Sequence, residues 1–140
     1  MRITQNALQQ IIAHAEADAP IEACGYLAAE ADVLVEAIRL RNVDASPEHF
    51  SFDPAEQFAT VRAIRKQGRK LLAVYHSHPA SPARPSEEDI RLAFDPELSY
   101  VIVSLAASAP VVKSFRIRAG QVTAEVIEVV QSVTEDSHVI

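Results

Sequence analysis

The chain has 140 residues, 49% of them hydrophobic and 23% charged, the make-up of one globular domain large enough for its own core. A net charge of −6 and an isoelectric point near 5.3 speak against nucleic acid as the main partner, since phosphate binding draws on a basic surface. The single cysteine, Cys24, excludes an internal disulfide and a thiolate zinc cluster, and with no leader-like segment and no apolar run near the ~18 residues of a membrane span the expectation is a soluble, cytoplasmic protein without a membrane partner.

In chain order, Thr4 is placed to cap a first helix in which Leu8, Ile11, Ile12, Ala15 and Ala19 recur at helical spacing, and Pro20 ends it. Ile21 to Ala29 and Val33 to Leu40 read as two strands joined by Glu30-Ala31-Asp32, a connection suited to a hairpin. The polar stretch from Asn42 to Asp53 is long enough to carry function. Asp53-Pro54-Ala55-Glu56 opens a second helix with a cap, a first-turn proline and an acidic third position. Phe58, Val61 and Ile64 form its expected buried face, and it stops near Gly68.

Leu71 to Tyr75 is a short apolar run expected to be a buried strand, and His76 and His78 follow it. Alternate strand residues share a face, so these two imidazoles project together. Pro79, Pro82 and Pro85 force an irregular loop, after which Ser86 to Phe94 forms a short helix with Asp89 in its first turn. Tyr100 to Leu105 reads as a second central strand. Val111 to Arg118 alternates, Ala119-Gly120 turns, and Gln121 to Val130 is apolar with a phase slip at Val126-Ile127 that suggests a bulge or burial of both faces. Residues 131–140 are mostly polar and expected to form a flexible tail after a single domain of residues 1–130. Strands outnumber helices, which gives an α/β (α+β) class: one mixed sheet flanked by helices.

Two imidazoles and a carboxylate meeting at one strand end outline a zinc site. A catalytic zinc takes three protein ligands and leaves a fourth position for water, and His76, His78 and Asp89 supply three. Each also has a plainer explanation. The histidines fit solvated side chains, and Ser86-x-x-Asp89 fits a capping box, which is compatible with a ligand mounted on a rigid helix start. Glu22, two residues after Pro20, looks on its own like a surface carboxylate, and Cys24 a small buried residue. His14, His49 and His138 lack metal-ligand spacing to one another.

His76-Ser77-His78-Pro79, then Pro85-Ser86-Glu87-Glu88-Asp89, with Glu22-Ala23-Cys24-Gly25-Tyr26-Leu27 upstream, resembles the JAMM (MPN+) zinc metalloproteases, and the short prokaryotic subset in particular. The likeness runs from the first helix to about Val130 and includes Asn42, Phe52-Asp53-Pro54 and Gly68. It implies a cytidine-deaminase-like fold, Zn2+ on His76, His78 and Asp89, Glu22 as general base and acid acting through the zinc-bound water, and Ser86 holding the tetrahedral oxyanion. It further implies hydrolysis of a peptide or isopeptide bond after the C-terminal Gly-Gly of a ubiquitin-like or sulfur-carrier protein, and leaves a homodimer open.

The alternative is a non-catalytic MPN-type interaction module that retains zinc for structure, although structural sites use four protein ligands. A DNA-repair-associated branch would carry Asn between the histidines, a Gly in the following loop and an added helical DNA-binding domain, where this acidic chain has Ser77 and a loop without Gly. A zinc nucleoside deaminase would need a Pro-Cys-x-x-Cys pair, which one cysteine cannot supply.

Overall fold

The structure, a computed structural model, describes residues 1–134. In chain order these form β1 (Arg2–Thr4), α1 (Gln5–Asp18), β2 (Cys24–Glu30), β3 (Val33–Leu40), α2 (Pro54–Lys66), β4 (Lys70–His78), α3 (Glu87–Arg91), β5 (Ser99–Ser104), β6 (Val111–Arg118), β7 (Gln121–Glu125) and β8 (Glu128–Val130). The strands make one sheet in the order β7-β6-β5-β4-β2-β3-β1-β8. The β4/β5, β1/β3 and β1/β8 pairs are parallel, and the other neighbours are antiparallel. The expected α/β class with a mixed sheet is therefore what the chain adopts.

β7 and β8 are the two edges of the sheet, yet Val126 and Ile127 alone separate them in sequence. Three peptide units span at most about 11 Å, so the sheet must curl until its edges approach. It curls around α1. Ile3, Ala7, Ile11 and Ala15 form one buried cluster with Leu27, Leu34, Tyr75 and Val101, joined by Val112 and Ile127 from near the two edges. The opposite face is covered by α2, with Ile64 against Tyr26, Leu40 and Val74, and by α3, with Ile90 against the Ile102 and Phe115 cluster. From Ala73 onward, successive residues of β4 thus alternate between two separate faces, while an irregularity in the β2 pairing before it sends Leu72 to the α1 core and Leu71 to the other.

Several sequence expectations change. The slip at Val126-Ile127 is neither a bulge nor two-faced burial. It is a crossover between opposite edges, with Val126 82% exposed and Ile127 packed on the α1 core. β1 escapes notice because three residues are too few to show alternation, although its Ile3 is fully enclosed. The strand expected from Ile21 begins at Cys24, since the main chain of residues 22 and 23 bonds instead to Ser46 and Ser77. Phe58 points outward from α2 beneath the Arg62 guanidinium, while Thr60 and Ile64 face the sheet. Asp53 caps α2 without a side-chain bond, and Glu56 accepts the Arg41 N–H at 2.8 Å rather than closing a capping box. The helix expected over Ser86 to Phe94 shortens to Glu87–Arg91, leaving Phe94 exposed. Of the tail expected over residues 131–140, positions 135–140 lie outside the described residues, His138 among them.

Candidate active site

β4 runs through the middle of the sheet, antiparallel to β2 and parallel to β5. Its pleat sends Tyr75 toward α1 and sends Val74, His76 and His78 toward the face that carries α2 and α3. At its C-terminal end both imidazoles are 5% exposed, and their Nε2 atoms stand 3.2 Å apart. The loop of three prolines folds back over this end. Ser104 donates its hydroxyl to the Ser81 carbonyl at 2.6 Å, and the Pro82 carbonyl lies 2.8 Å from His78 Nδ1. A carbonyl only accepts, so Nδ1 keeps its proton and Nε2 is the nitrogen that faces the site, bonded to Asp89 while protonated and free to offer a lone pair once that proton leaves.

α3 brings the third group. Ser86 Oγ accepts the Asp89 N–H at 3.0 Å and Asp89 Oδ2 accepts the Ser86 N–H at 2.9 Å, a complete capping box. The same Oδ2 lies 3.1 Å from each imidazole Nε2. The cap and the candidate metal-binding carboxylate are one structure, and the rigid helix start aims it. Burial pushes the Asp89 pKa up, but the hydrogen bonds from His76, His78 and the Ser86 N–H outweigh it and hold the carboxyl well below the usual range. His78 is pulled down by burial and pushed up further by Asp89 and Pro82, so it titrates above an ordinary histidine.

Among the described residues, His76, His78 and Asp89 are the group of three metal-capable side chains, their ligand atoms all within 4.8 Å of one another. Tetrahedral zinc with bonds of ~2.0–2.1 Å sets its ligand atoms roughly 3.3 Å apart, close to the separations seen here. Two imidazole nitrogens and an anionic oxygen converging at that distance fit a cation.

Glu22 is the surprise. It is 3% exposed, not the surface carboxylate its sequence neighbourhood suggests. Among the described residues its buried Oε1 has no hydrogen-bond partner, an acceptor left for a donor such as water. Burial raises its pKa to about 8, with His78 opposing and Asp89 and Glu88 adding to the rise. A carboxyl tuned toward neutrality is what a general base working near pH 7 needs. Ser86 is exposed, and its accepted bond from Asp89 leaves the hydroxyl proton for another acceptor.

Three contributors escaped the sequence. Ser77, between the histidines, faces the opposite side of β4, where it binds Ala23 next to Glu22. Phe50 stacks on the His76 ring at 4.8 Å and 29°. The Pro82 carbonyl selects the His78 tautomer. Ser77 carries a sequence signal, since its place between two histidines of one strand face fixes its own face. Tyr26, Phe50, Phe52, Leu92, Phe94 and Tyr100 line an apolar cleft that opens onto His76 and Asp89. Two other histidines are engaged elsewhere. His14 pairs with Tyr75 and Asp18, and His49 with Asp44. Burial, with Glu22 adding, pushes the Cys24 thiol up to about 12, which removes it as a nucleophile.

A family model described as prokaryotic homologues of the JAB domain matches residues 4–118. The CysO-cysteine peptidase of Mycobacterium tuberculosis is 36% identical over 132 residues, covering 92% of this chain and 90% of that protein. The solution structure of a protein from Desulfitobacterium hafniense has a TM-score of 0.84 at 45% identity, covering 98% of this chain and 97% of that one. A structure described as a JAMM metalloprotease-like zinc site in the proteasome and signalosome has a TM-score of 0.61 at 26% identity over 93% of this chain and 97% of that one.

Proposed function

The chain belongs to the family of prokaryotic homologues of the JAB domain, and from that premise we propose a zinc-dependent peptidase that cuts after the C-terminal glycines of a small ubiquitin-like or sulfur-carrier protein in the cytoplasm. The M. tuberculosis relative, a CysO-cysteine peptidase by name, supports the substrate class, and the JAMM zinc-site neighbour supports the metal. His76, His78 and Asp89 are the groups that would hold the ion. Bound there, zinc would acidify water and polarise the scissile carbonyl.

The chain's own residues supply the rest. Glu22 takes a proton from the attacking water and returns it to the leaving nitrogen, a shuttle that its raised pKa favours. The Ser86 hydroxyl, fixed by Asp89, donates toward the oxygen that gains charge as the carbonyl becomes tetrahedral. Pro82 keeps His78 in the tautomer that offers Nε2. The apolar cleft lies where an extended tail would enter, and its walls exclude water from the scissile bond.

The observation that carries this reading is the buried Glu22 carboxylate with one oxygen unpartnered, electrostatically coupled to His78 and Asp89. A zinc site kept for structure alone has no use for it. The test is metal analysis of the purified protein, followed by mass spectrometry of a Gly-Gly carrier carrying one further residue or a lysine-linked extension. Release at the glycine by the zinc-loaded protein, and its loss in Glu22→Gln, is the expected result. Bound zinc with no cleavage of any such carrier would favour the interaction module.

A further inference from the structure

The loop of residues 42–53 lies between β3 and α2 and is organised around one amide. Asn42 Nδ2 donates to the Glu22 carbonyl at 3.1 Å and to the His49 carbonyl at 3.0 Å. Its Oδ1 accepts the Asp44 N–H at 3.1 Å and the Ser51 N–H at 3.3 Å. The side chain therefore uses both donors and both lone pairs. Its orientation is determined, because a flipped amide would set oxygen against two carbonyls and NH2 against two N–H groups.

These four bonds join two parts of the site. Glu22 sits in the short stretch before β2, where no strand ladder holds it. Its N–H donates to the Ser46 carbonyl at 2.9 Å and its carbonyl accepts from Asn42, so the loop grips both sides of that residue. His49 and Ser51, tied to the same amide, flank Phe50, whose ring covers His76. The Asp44 carboxylate closes the loop by binding the Ser51 hydroxyl and His49 Nδ1.

We propose that Asn42 is a positioning residue for the reaction: through the Glu22 main chain it fixes where the base's carboxylate stands, and through His49 and Ser51 it seats Phe50 on the ligand His76. The proposal rests on Glu22 acting as the base. A displacement of about 1 Å in a catalytic group costs on the order of 10²-fold in rate, and the amide is what prevents it here.

Two variants test this. Asn42→Ala removes all four bonds, and the near-isosteric Asn42→Asp sets an acceptor against the two carbonyls should the first fold poorly. In the metal-free protein, amide hydrogen exchange read by NMR is expected to speed up at the Glu22 N–H by at least about tenfold, with the β4 and β5 amides unchanged. Zinc affinity should fall by less than the rate does, because Asn42 bonds to none of the three residues on β4 and α3 that would hold the ion. With a Gly-Gly-extended carrier, kcat should fall roughly 10- to 100-fold while KM moves less than about threefold. Faster exchange confined to residues 43–51, with the Glu22 N–H still protected, would overturn the proposal and leave Asn42 a loop-building residue. So would a loss appearing wholly in KM. Should wild-type protein cut no carrier, the functional assignment fails, and the Glu22 exchange result still decides the positioning.

Discussion

Ser77 and Ala23 are bonded twice: the Ser77 N–H donates to the Ala23 carbonyl at 3.0 Å, and the Ser77 hydroxyl accepts the Ala23 N–H at 2.8 Å. Ser77 lies between the two imidazoles and Ala23 follows Glu22, so the strand carrying the histidines and the segment carrying Glu22 form one hydrogen-bonded unit. Both residues are fully enclosed. Ser77→Ala leaves the Ala23 N–H buried without a partner, at a cost of about 1–3 kcal/mol. Denaturant unfolding of the metal-free protein should show that loss, with kcat lowered and zinc affinity retained. Unchanged unfolding would mean that water replaces the hydroxyl and that the two segments are not coupled this way.

What the sequence disclosed about this site follows from which interactions are local. The shared face of His76 and His78 needs only the two-residue pleat, and the aim of Asp89 needs only a cap three residues away. Glu22 reads as a surface carboxylate in the sequence because the bonds that hold its segment inside, from Ser46 and Asn42 to Glu22 and from Ser77 to Ala23, all come from residues more than 15 positions away. No local pattern records such contacts. The same holds for the join between β7 and β8, where a break in apolar phase was visible but its cause, a jump between opposite edges of the curled sheet, was not. Phe58 failed differently: α2 presents Thr60 and Ile64 to the sheet, and a phenylalanine two residues before Thr60 falls on the outer side of the helix.

Glu22→Gln should abolish nearly all turnover, by about 10²–10⁴-fold, with zinc still bound. It should also alter stability in a pH-dependent way. The carboxyl titrates near 4.5 when unfolded and near 8 when folded. Between these values the folded state holds a proton that the unfolded chain has released, so stability falls as pH rises through this window. The contribution is fully present below about 4.5 and lost above about 8. Thermal melts of metal-free protein from pH 5 to pH 8.5 should therefore slope down more steeply for the wild type than for Glu22→Gln. Parallel slopes would place Glu22 in water.

Zinc and protons should compete for His78. Its folded pKa lies above the ordinary 6.5, because Asp89 and Pro82 outweigh the burial that lowers it. The metal requires the deprotonated Nε2, so affinity should weaken as pH drops through that raised value. Calorimetric titrations near neutral pH, repeated in buffers of different ionisation enthalpy, should report proton release on binding. Chelation should lower the melting temperature as well, since an ion bound only by the folded state stabilises it. A binding enthalpy that does not depend on the buffer would contradict a protonated His78 in the metal-free site.

Of the three glycines, Gly25 is the one with no room for a side chain. A Cβ there would stand 2.3 Å from the Ile38 carbonyl oxygen of the neighbouring strand and 2.7 Å from the Tyr75 ring. Neither neighbour can move aside easily. Ile38 is fixed in β3, paired with β2. The Tyr75 hydroxyl lies 2.7 Å from His14 Nδ1, and His14 Nε2 lies 2.9 Å from Asp18 on the next turn of α1, so the ring is anchored in the α1 core. Gly25→Ala is therefore expected to cost more than about 3 kcal/mol, above the usual range for overpacking, and to move β2 away from β4 just beyond Glu22. Gly25→Ala made together with Tyr75→Leu should recover part of that loss, because the second substitution removes the ring contact and leaves the Ile38 clash. Denaturant midpoints of the single and double variants read the coupling. Strictly additive costs would show that the ring exerts no pressure on the glycine, and that the β3 carbonyl alone forbids a side chain there.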